Sequence, residues 1–207
     1  MQVRVTLDRL RPMVSGAVTP SVRLARRLGL TPNGVSALAF ALAVLGGVLF
    51  ALAPRRGVAA LYVGGSVCVA LNGWLDVVDG ELARALDGGS PAGDLLDHVL
   101  DRYADIVIVA GLAAGVERYA LGFGAVTGVF MTSYLGTQAQ AVGLDRVYGG
   151  LVGRADRLAL VIAVGLAAAV VPGAVGPLTP VGWLLAFFAV VGHLTALQRF
   201  YYAYRAL

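Results

Sequence analysis

Residues 34 to 53 read GVSALAFALAVLGGVLFALA, 20 consecutive positions without a charge. That is about the length of helix needed to cross a hydrocarbon core of roughly 30 Å, so the chain is read first as a membrane protein. Uncharged runs at 57–75, 119–144, 158–179 and 181–198 repeat the pattern, the last two separated at Pro180 with Pro172 and Pro177 just before it. A sixth span is less evident. Only 11 residues between Asp105 and Glu117 are uncharged, but the stretch from Gly93 reads as one continuous helix with its carboxylates near one membrane face. Composition agrees, with 58% hydrophobic and 14% charged residues against roughly 45–50% and about 25% in soluble domains. The expected fold is all-α: six transmembrane helices forming one domain over 31–207, preceded by an Arg-rich amphipathic segment over 1–30 that lies along the membrane surface. No signal-peptide pattern is read there, because six arginines interrupt the first 30 residues.

Six spans put both termini on one side. Of 16 arginines, 13 fall on that side and only Arg55, Arg56 and Arg118 on the other, so the positive-inside bias places the termini and the loops after spans two and four in the cytoplasm. There is no lysine, so every fixed cation is a planar guanidinium suited to phosphate and carboxylate. Cys68 is the sole cysteine, which excludes an intrachain disulfide and a thiolate metal site. A disordered chain and a basic nucleic-acid binder both fit poorly, and no nucleic-acid partner is expected. The 28 glycines suit close helix packing, and Gly124 and Gly128 form a small-residue step for contact within a subunit or between two.

Eight of the 12 acidic residues lie between positions 76 and 105: Asp76, Asp79, Glu81, Asp87, Asp94, Asp97, Asp101 and Asp105. An aspartate at the centre of a transmembrane helix costs about 2.5–3.5 kcal/mol, so Asp76, Asp79, Asp97 and Asp101 together would cost on the order of 10–14 kcal/mol. They therefore belong near the interface or in a polar cavity, balanced by cations. Asp76 and Asp79 are i and i+3 at the end of span two; Asp97 and Asp101 are i and i+4 at the start of span three. A short connection through Asp87, Gly88, Gly89, Ser90 and Pro91 lets the two helices lie side by side so that four carboxylates converge. All-oxygen ligation of this kind selects Mg²⁺ or Mn²⁺. Simple ion pairing with Arg84 and Arg102 would leave excess negative charge. Asp94 and Asp105 share the stripe as supporting or ion-pair candidates, whereas His98 points away from it, and His98 and His193 read as packing or hydrogen-bonded residues.

The residues Asp76-Val-Val-Asp79-Gly80-Glu-Leu-Ala83-Arg84, then eight residues, Gly93, three residues, Asp97, three residues and Asp101 resemble the signature of the CDP-alcohol phosphotransferases at all eight fixed positions. The six-span layout, the N-terminal stretch and the Thr31-Pro32-Asn33 start of span one are similar to the family over most of the chain. The resemblance implies a homodimeric membrane enzyme that displaces CMP from a CDP-linked lipid and joins the lipid phosphate to an alcohol. It implies that Asp76, Asp79, Asp97 and Asp101 hold Mg²⁺ or Mn²⁺, with two ions expected, and that Asp101 is the general base for the acceptor hydroxyl. Asp76, Gly80, Ala83, Arg84 and Gly93 are its implied CDP-binding residues, Gly80 and Ala83 being small where the nucleotide approaches and Arg84 offering a forked donor.

Beyond the motif, Arg146, Arg154 and Arg157 precede span five and Arg199 lies near the cytoplasmic end of span six. Several guanidiniums facing one site argue for an acceptor carrying its own phosphate. The Ser133-Tyr134 pair and the Gly-x-x-x-Arg-x-x-Arg arrangement ending at Arg157 are similar to the branch that makes phosphatidyl- or archaetidylinositol phosphate. Gly136 and Gln138 stand where that branch commonly carries basic residues, which keeps glycerol phosphate level with inositol 1-phosphate. The alternatives are an enzyme of the same family using a free alcohol such as serine, and a cation transporter built on the same carboxylates. Spans one, four and five contain no acid, which weighs against the transporter.

Overall fold

The computed structural model describes residues 11–86, 90–145 and 150–207. Among them are seven α-helices: α1 (Arg11–Arg27), α2 (Pro32–Arg56), α3 (Ala59–Ala85), α4 (Pro91–Gly115), α5 (Tyr119–Ala141), α6 (Arg154–Val170) and α7 (Pro180–Ala206). There is no β-strand among the described residues beyond an isolated bridge between Val175 and Leu178. The all-α expectation holds. Three of these helices, α2, α3 and α7, are long and apolar enough to cross a membrane by length and composition. The other long segments fall short for visible reasons: α4 carries Asp94, Asp97, Asp101, Arg102 and Asp105, α5 is diluted by glycine and hydroxyl residues, and α6 has only 17 residues.

Three helices begin alike. Thr31, Ser90 and Thr179 stand in extended backbone, and each side-chain oxygen accepts a hydrogen bond from the N–H three residues on: Gly34 at 3.1 Å, Gly93 at 3.0 Å and Gly182 at 3.1 Å. A proline follows each cap at the first helical position, where its missing N–H costs nothing. The uncharged run 158–179 is helical only to Val170, because Pro172, Gly173, Gly176 and Pro177 turn the chain before Thr179 caps α7. At the other ends the charges belong to the helices: α3 continues through Asp76, Asp79 and Arg84, and α7 through Arg199 and Arg205.

Close approach by small residues sets the packing. A side chain at Gly47 would meet the Val107 carbonyl at 2.5 Å, and one at Gly111 or Gly115 would strike the backbone of Gly47 or Phe50, so α2 and α4 touch backbone to backbone. Gly124 faces Ala189, and Gly128 faces the Phe188 carbonyl and His193, so this step packs α5 on α7 within the subunit. Phe50, Ile108, Leu112, Leu185 and Phe188 fill the main core, while Val18 and Ala25 of α1 join Val35, Val78 and Leu82 in a second cluster. That second cluster seats α1 on the motif-bearing end of α3, where Trp74 Nε1 also donates to Ser21 Oγ at 3.3 Å.

Candidate active site

The antiparallel run of helices brings the end of α3, the starts of α2, α4 and α6 and the end of α7 around one cavity of about 1030 Å³. Asp76, Asp79, Gly80, Ala83 and Arg84 of α3 line it, as do Gly93, Asp97 and Asp101 of α4, Arg154 and Arg157 of α6 and Arg199 of α7. Arg146 and Asp87 lie outside the described residues, as does the start of the N-terminal segment.

One oxygen each from Asp76, Asp97 and Asp101 lies within 4.8 Å of the other two. That spacing and the absence of sulfur or ring nitrogen from the trio fit a hard divalent cation bound by oxygens at about 2.0–2.6 Å. Asp79 stands beside the trio. Its Oδ2 accepts a 2.6 Å hydrogen bond from Ser36 Oγ on α2, and its side chain is buried.

The counter-charge comes from α6 rather than from within the motif. Arg154 reaches Asp76 at 2.7 Å through Nη1 and Asp101 at 2.6 Å through Nη2, with Nε 4.0 Å from Asp105. Arg157, buried, donates to Asp105 Oδ2 at 2.7 Å. Of the two arginines nearest in sequence, Arg102 stands 3.5 Å from Asp101 while Arg84 pairs with Glu81 at 2.8 Å. Arg199 is buried and donates from Nη1 to the Thr132 carbonyl at 2.7 Å, which aims it from α7 into the cavity beside Ser133. Asp105 is thus an ion-pair residue, and Asp94 stays exposed, 3.6 Å from His98.

Gly80 has open space around it: a Cβ there would meet only the Arg84 guanidinium, at 3.7 Å. Helix packing therefore does not require glycine at this position, whereas a group entering the cavity benefits from the missing side chain. Gly93 differs, since its N–H caps on Ser90 and a Cβ would press on Asn33 Oδ1 at 3.1 Å.

One reading is refined and one residue is added. His98, read as turned away from the acidic stripe and as a packing or hydrogen-bonded residue, lines the cavity, and its Nδ1 lies 2.8 Å from the Asp94 carbonyl oxygen. Ser36 was not singled out by sequence, though it is the one polar side chain in the first uncharged run; its position just after the Thr31 cap is the signal that marks it. His193 is hydrogen-bonded, its Nε2 3.3 Å from Thr127 Oγ1.

An oxygen-ligand trio at one end of an apolar helix bundle, faced by arginines, defines a metal-dependent phosphotransferase of membranes. The model of the CDP-alcohol phosphatidyltransferase family matches residues 29–197, and the chain belongs to that family. It is similar to the archaetidylinositol phosphate synthase of Pyrococcus horikoshii, at 27% identity over 97% of this chain and 98% of that one. It is 34% identical to the phosphatidylinositol phosphate synthase of Mycobacteroides abscessus over 84% of this chain and 77% of that protein. Among solved structures, that of the Mycobacterium tuberculosis phosphatidylinositol phosphate synthase with manganese and citrate superposes with a TM-score of 0.75 at 25% identity, covering 90% of this chain and 88% of that one. The same enzyme with CDP-DAG bound gives 0.74 at 26% identity, covering 90% and 93%. The protein is a transferase of phospholipid biosynthesis that depends on a divalent metal.

Proposed function

We propose that this enzyme transfers a phosphatidyl or archaetidyl group from a CDP-linked lipid to a phosphorylated polyol, inositol 1-phosphate or glycerol phosphate, with release of CMP. The observation that carries the reading is the Asp76, Asp97 and Asp101 trio sharing one cavity with the buried Arg157 and Arg199. The relatives named for inositol phosphate products and the similar structure with CDP-DAG support the substrate class.

In the proposed reaction the acceptor hydroxyl oxygen attacks the lipid-bearing phosphorus, the bond from that phosphorus to the bridging oxygen breaks, and CMP leaves with the electron pair. Asp76, Asp79, Asp97 and Asp101 would hold two divalent ions, whose charge would offset that of the pyrophosphate and make the acceptor hydroxyl more acidic. Asp101 takes the hydroxyl proton, one helical turn from the ligand Asp97. Asp76, Gly80, Ala83, Arg84 and Gly93 form the wall against the CDP group. Arg154, Arg157 and Arg199 bind the acceptor phosphate, joined by Arg146. Arg154 and Arg157 already pair with Asp76, Asp101 and Asp105, and an acceptor carrying its own phosphate would add charge-assisted hydrogen bonds to these guanidiniums and to Arg199, which is why a phosphorylated alcohol is favoured over serine.

We read α2 to α7 as six membrane spans forming the domain over 31–207, with the segment 1–30, α1 included, at the membrane surface. Both termini and the cavity then face the cytoplasm, and the enzyme works as a homodimer. Outward-facing Leu38, Leu45, Val48 and Leu52 on α2, and Trp183, Phe187, Val190 and Leu194 on α7, support lipid contact along both helices.

The test is CMP release from a CDP-lipid with Mn²⁺ or Mg²⁺ against a panel of phosphorylated and free polyols. Turnover with a polyol phosphate, abolished in Asp97→Asn and Asp101→Asn, is expected. Turnover with serine and none with polyol phosphates would overturn the acceptor assignment, and full activity in both variants would overturn the site. Ion flux in liposomes without nucleotide is the result that favours a transporter.

A further inference from the structure

Ser36 is buried on α2, one turn past the Thr31 cap, and its Oγ stands 2.6 Å from Asp79 Oδ2 and 3.1 Å from the Pro32 carbonyl oxygen. A hydroxyl has one proton and donates to one acceptor at a time. For a serine inside a helix the ordinary acceptor is the carbonyl four residues back, here Pro32. A carboxylate at 2.6 Å is the stronger acceptor, since charge-assisted O–H···O bonds fall at about 2.5–2.7 Å and are roughly twice as strong as neutral ones. The proton therefore goes to Asp79.

Asp79 needs such a partner more than Asp76, Asp101 or Asp105 does. Asp76, Asp101 and Asp105 each have an arginine nitrogen within 4.0 Å, while the Asp79 carboxylate is met by the Gly80 backbone N–H and, as its one recorded side-chain partner among the described residues, by Ser36. The last torsion of an aspartate is broad and nearly two-fold, so an untethered carboxylate presents either oxygen at many angles. Burial makes that indecision costly, because a buried polar group without a fixed partner loses the hydrogen bonds that water would give it.

We propose that Ser36 is a positioning residue for metal binding: by holding Oδ2 of Asp79 it turns Oδ1 toward the cavity and ties the first turn of α2 to the carboxylate cluster. The inference rests on the reading of Asp79 as a metal ligand. Ser36 lines the cavity together with Thr31 and Asn33, and this role goes beyond forming that wall. Groups that orient a ligand in this way typically change metal affinity by about 10–100-fold when removed.

The experiment measures Mn²⁺ binding to the full-length protein in detergent or nanodiscs without any nucleotide, by the electron paramagnetic resonance signal of free Mn²⁺. Ser36→Ala is expected to weaken binding about 10-fold. Ser36→Thr keeps the hydroxyl and is expected to stay within about 3-fold of the unmodified chain, whereas Ser36→Cys keeps the size but only a weak donor and should resemble Ala. In the CMP-release assay, Ser36→Ala should raise the Mn²⁺ concentration needed for half-activation while kcat at saturating Mn²⁺ stays within about 3-fold, a split that loss of folded protein does not produce. If Ser36→Ala does not fold, Ser36→Cys carries the test alone. Unchanged Mn²⁺ affinity in Ser36→Ala or Ser36→Cys would overturn the proposal, as would Ser36→Thr binding as weakly as Ala. Asp79→Asn separates the two levels. If it binds Mn²⁺ normally, the ligand reading falls and this inference with it; if it binds weakly while Ser36→Ala binds normally, only the role of Ser36 falls.

Discussion

Arg154 and Arg157 occupy the first turn of α6, where the helix macrodipole disfavours positive charge. They are held there by Asp76, Asp101 and Asp105, acids that arrive from two other helices. A local rule is broken at the site and the break is compensated by the site itself. The Asp105–Arg157 pair is buried, so removing one partner strands the other charge: Asp105→Asn is expected to lower stability by about 3–5 kcal/mol. Thermal unfolding in detergent checks this, and the double variant Asp105→Asn with Arg157→Gln should recover most of the loss. Gly80→Ala should behave in the opposite way. Its Cβ enters open cavity, and alanine favours the helix by about 0.5–1 kcal/mol, so the melting temperature should hold or rise while the KM for the CDP-lipid increases. The aspartates were legible in sequence because spacing alone places i, i+3 and i, i+4 pairs on one face. Ser36 was not, because its partner lies 43 positions away and only the crossing of α2 over α3 brings them together.

The helices meet through glycine, and the meeting of α2 with α4 is the tightest. A methyl group at Gly111 would overlap the Gly47 backbone, where no flexible side chain is available to yield. Gly111→Ala is therefore expected to force α2 and α4 apart and to cost about 1–3 kcal/mol or more, read as a lower melting temperature and a smaller folded yield in detergent. Because α2 carries Ser36 and α4 carries Asp97 and Asp101, activity should fall further than stability does. Helix starts were visible in sequence as Ser/Thr-Pro-x-Gly steps at 31, 90 and 179, each a cap with its proline. The end of α6 was harder. The loop after Val170 contains no charge, so hydropathy does not separate it from a span, and only the prolines and glycines from Pro172 to Pro177 mark the turn. The start of α6 was misjudged for the converse reason: Arg154 and Arg157 look like loop charges until the acids that neutralise them are in place.

Apart from the buried α4 charges up to Asp105, charge among the described residues gathers toward the two ends of the bundle. The cavity end gathers the motif acids and Arg154, Arg157 and Arg199, while Arg55, Arg56 and Arg118 stand at the other ends of α2 and α4. Antiparallel helices make those two groups opposite faces of one bundle, and the 13 to 3 distribution of arginines is the basis for the proposal that the cavity face is cytoplasmic. In the proposed orientation a CDP-lipid would reach the cavity from the leaflet beside it, and polyol phosphate and CMP would exchange with the cytoplasm. Cys68 is buried, so single cysteines placed at exposed positions report on sidedness without interference from it. Val58→Cys and Gly173→Cys test the outer connections, and Leu86→Cys and Tyr204→Cys the cavity end. In intact cells a membrane-impermeant maleimide is expected to label the first two and to reach the second two only after permeabilisation. The reverse pattern would overturn the orientation. Labelling of Val58→Cys without Gly173→Cys would overturn the six-span count instead, since an odd number of crossings would then separate them.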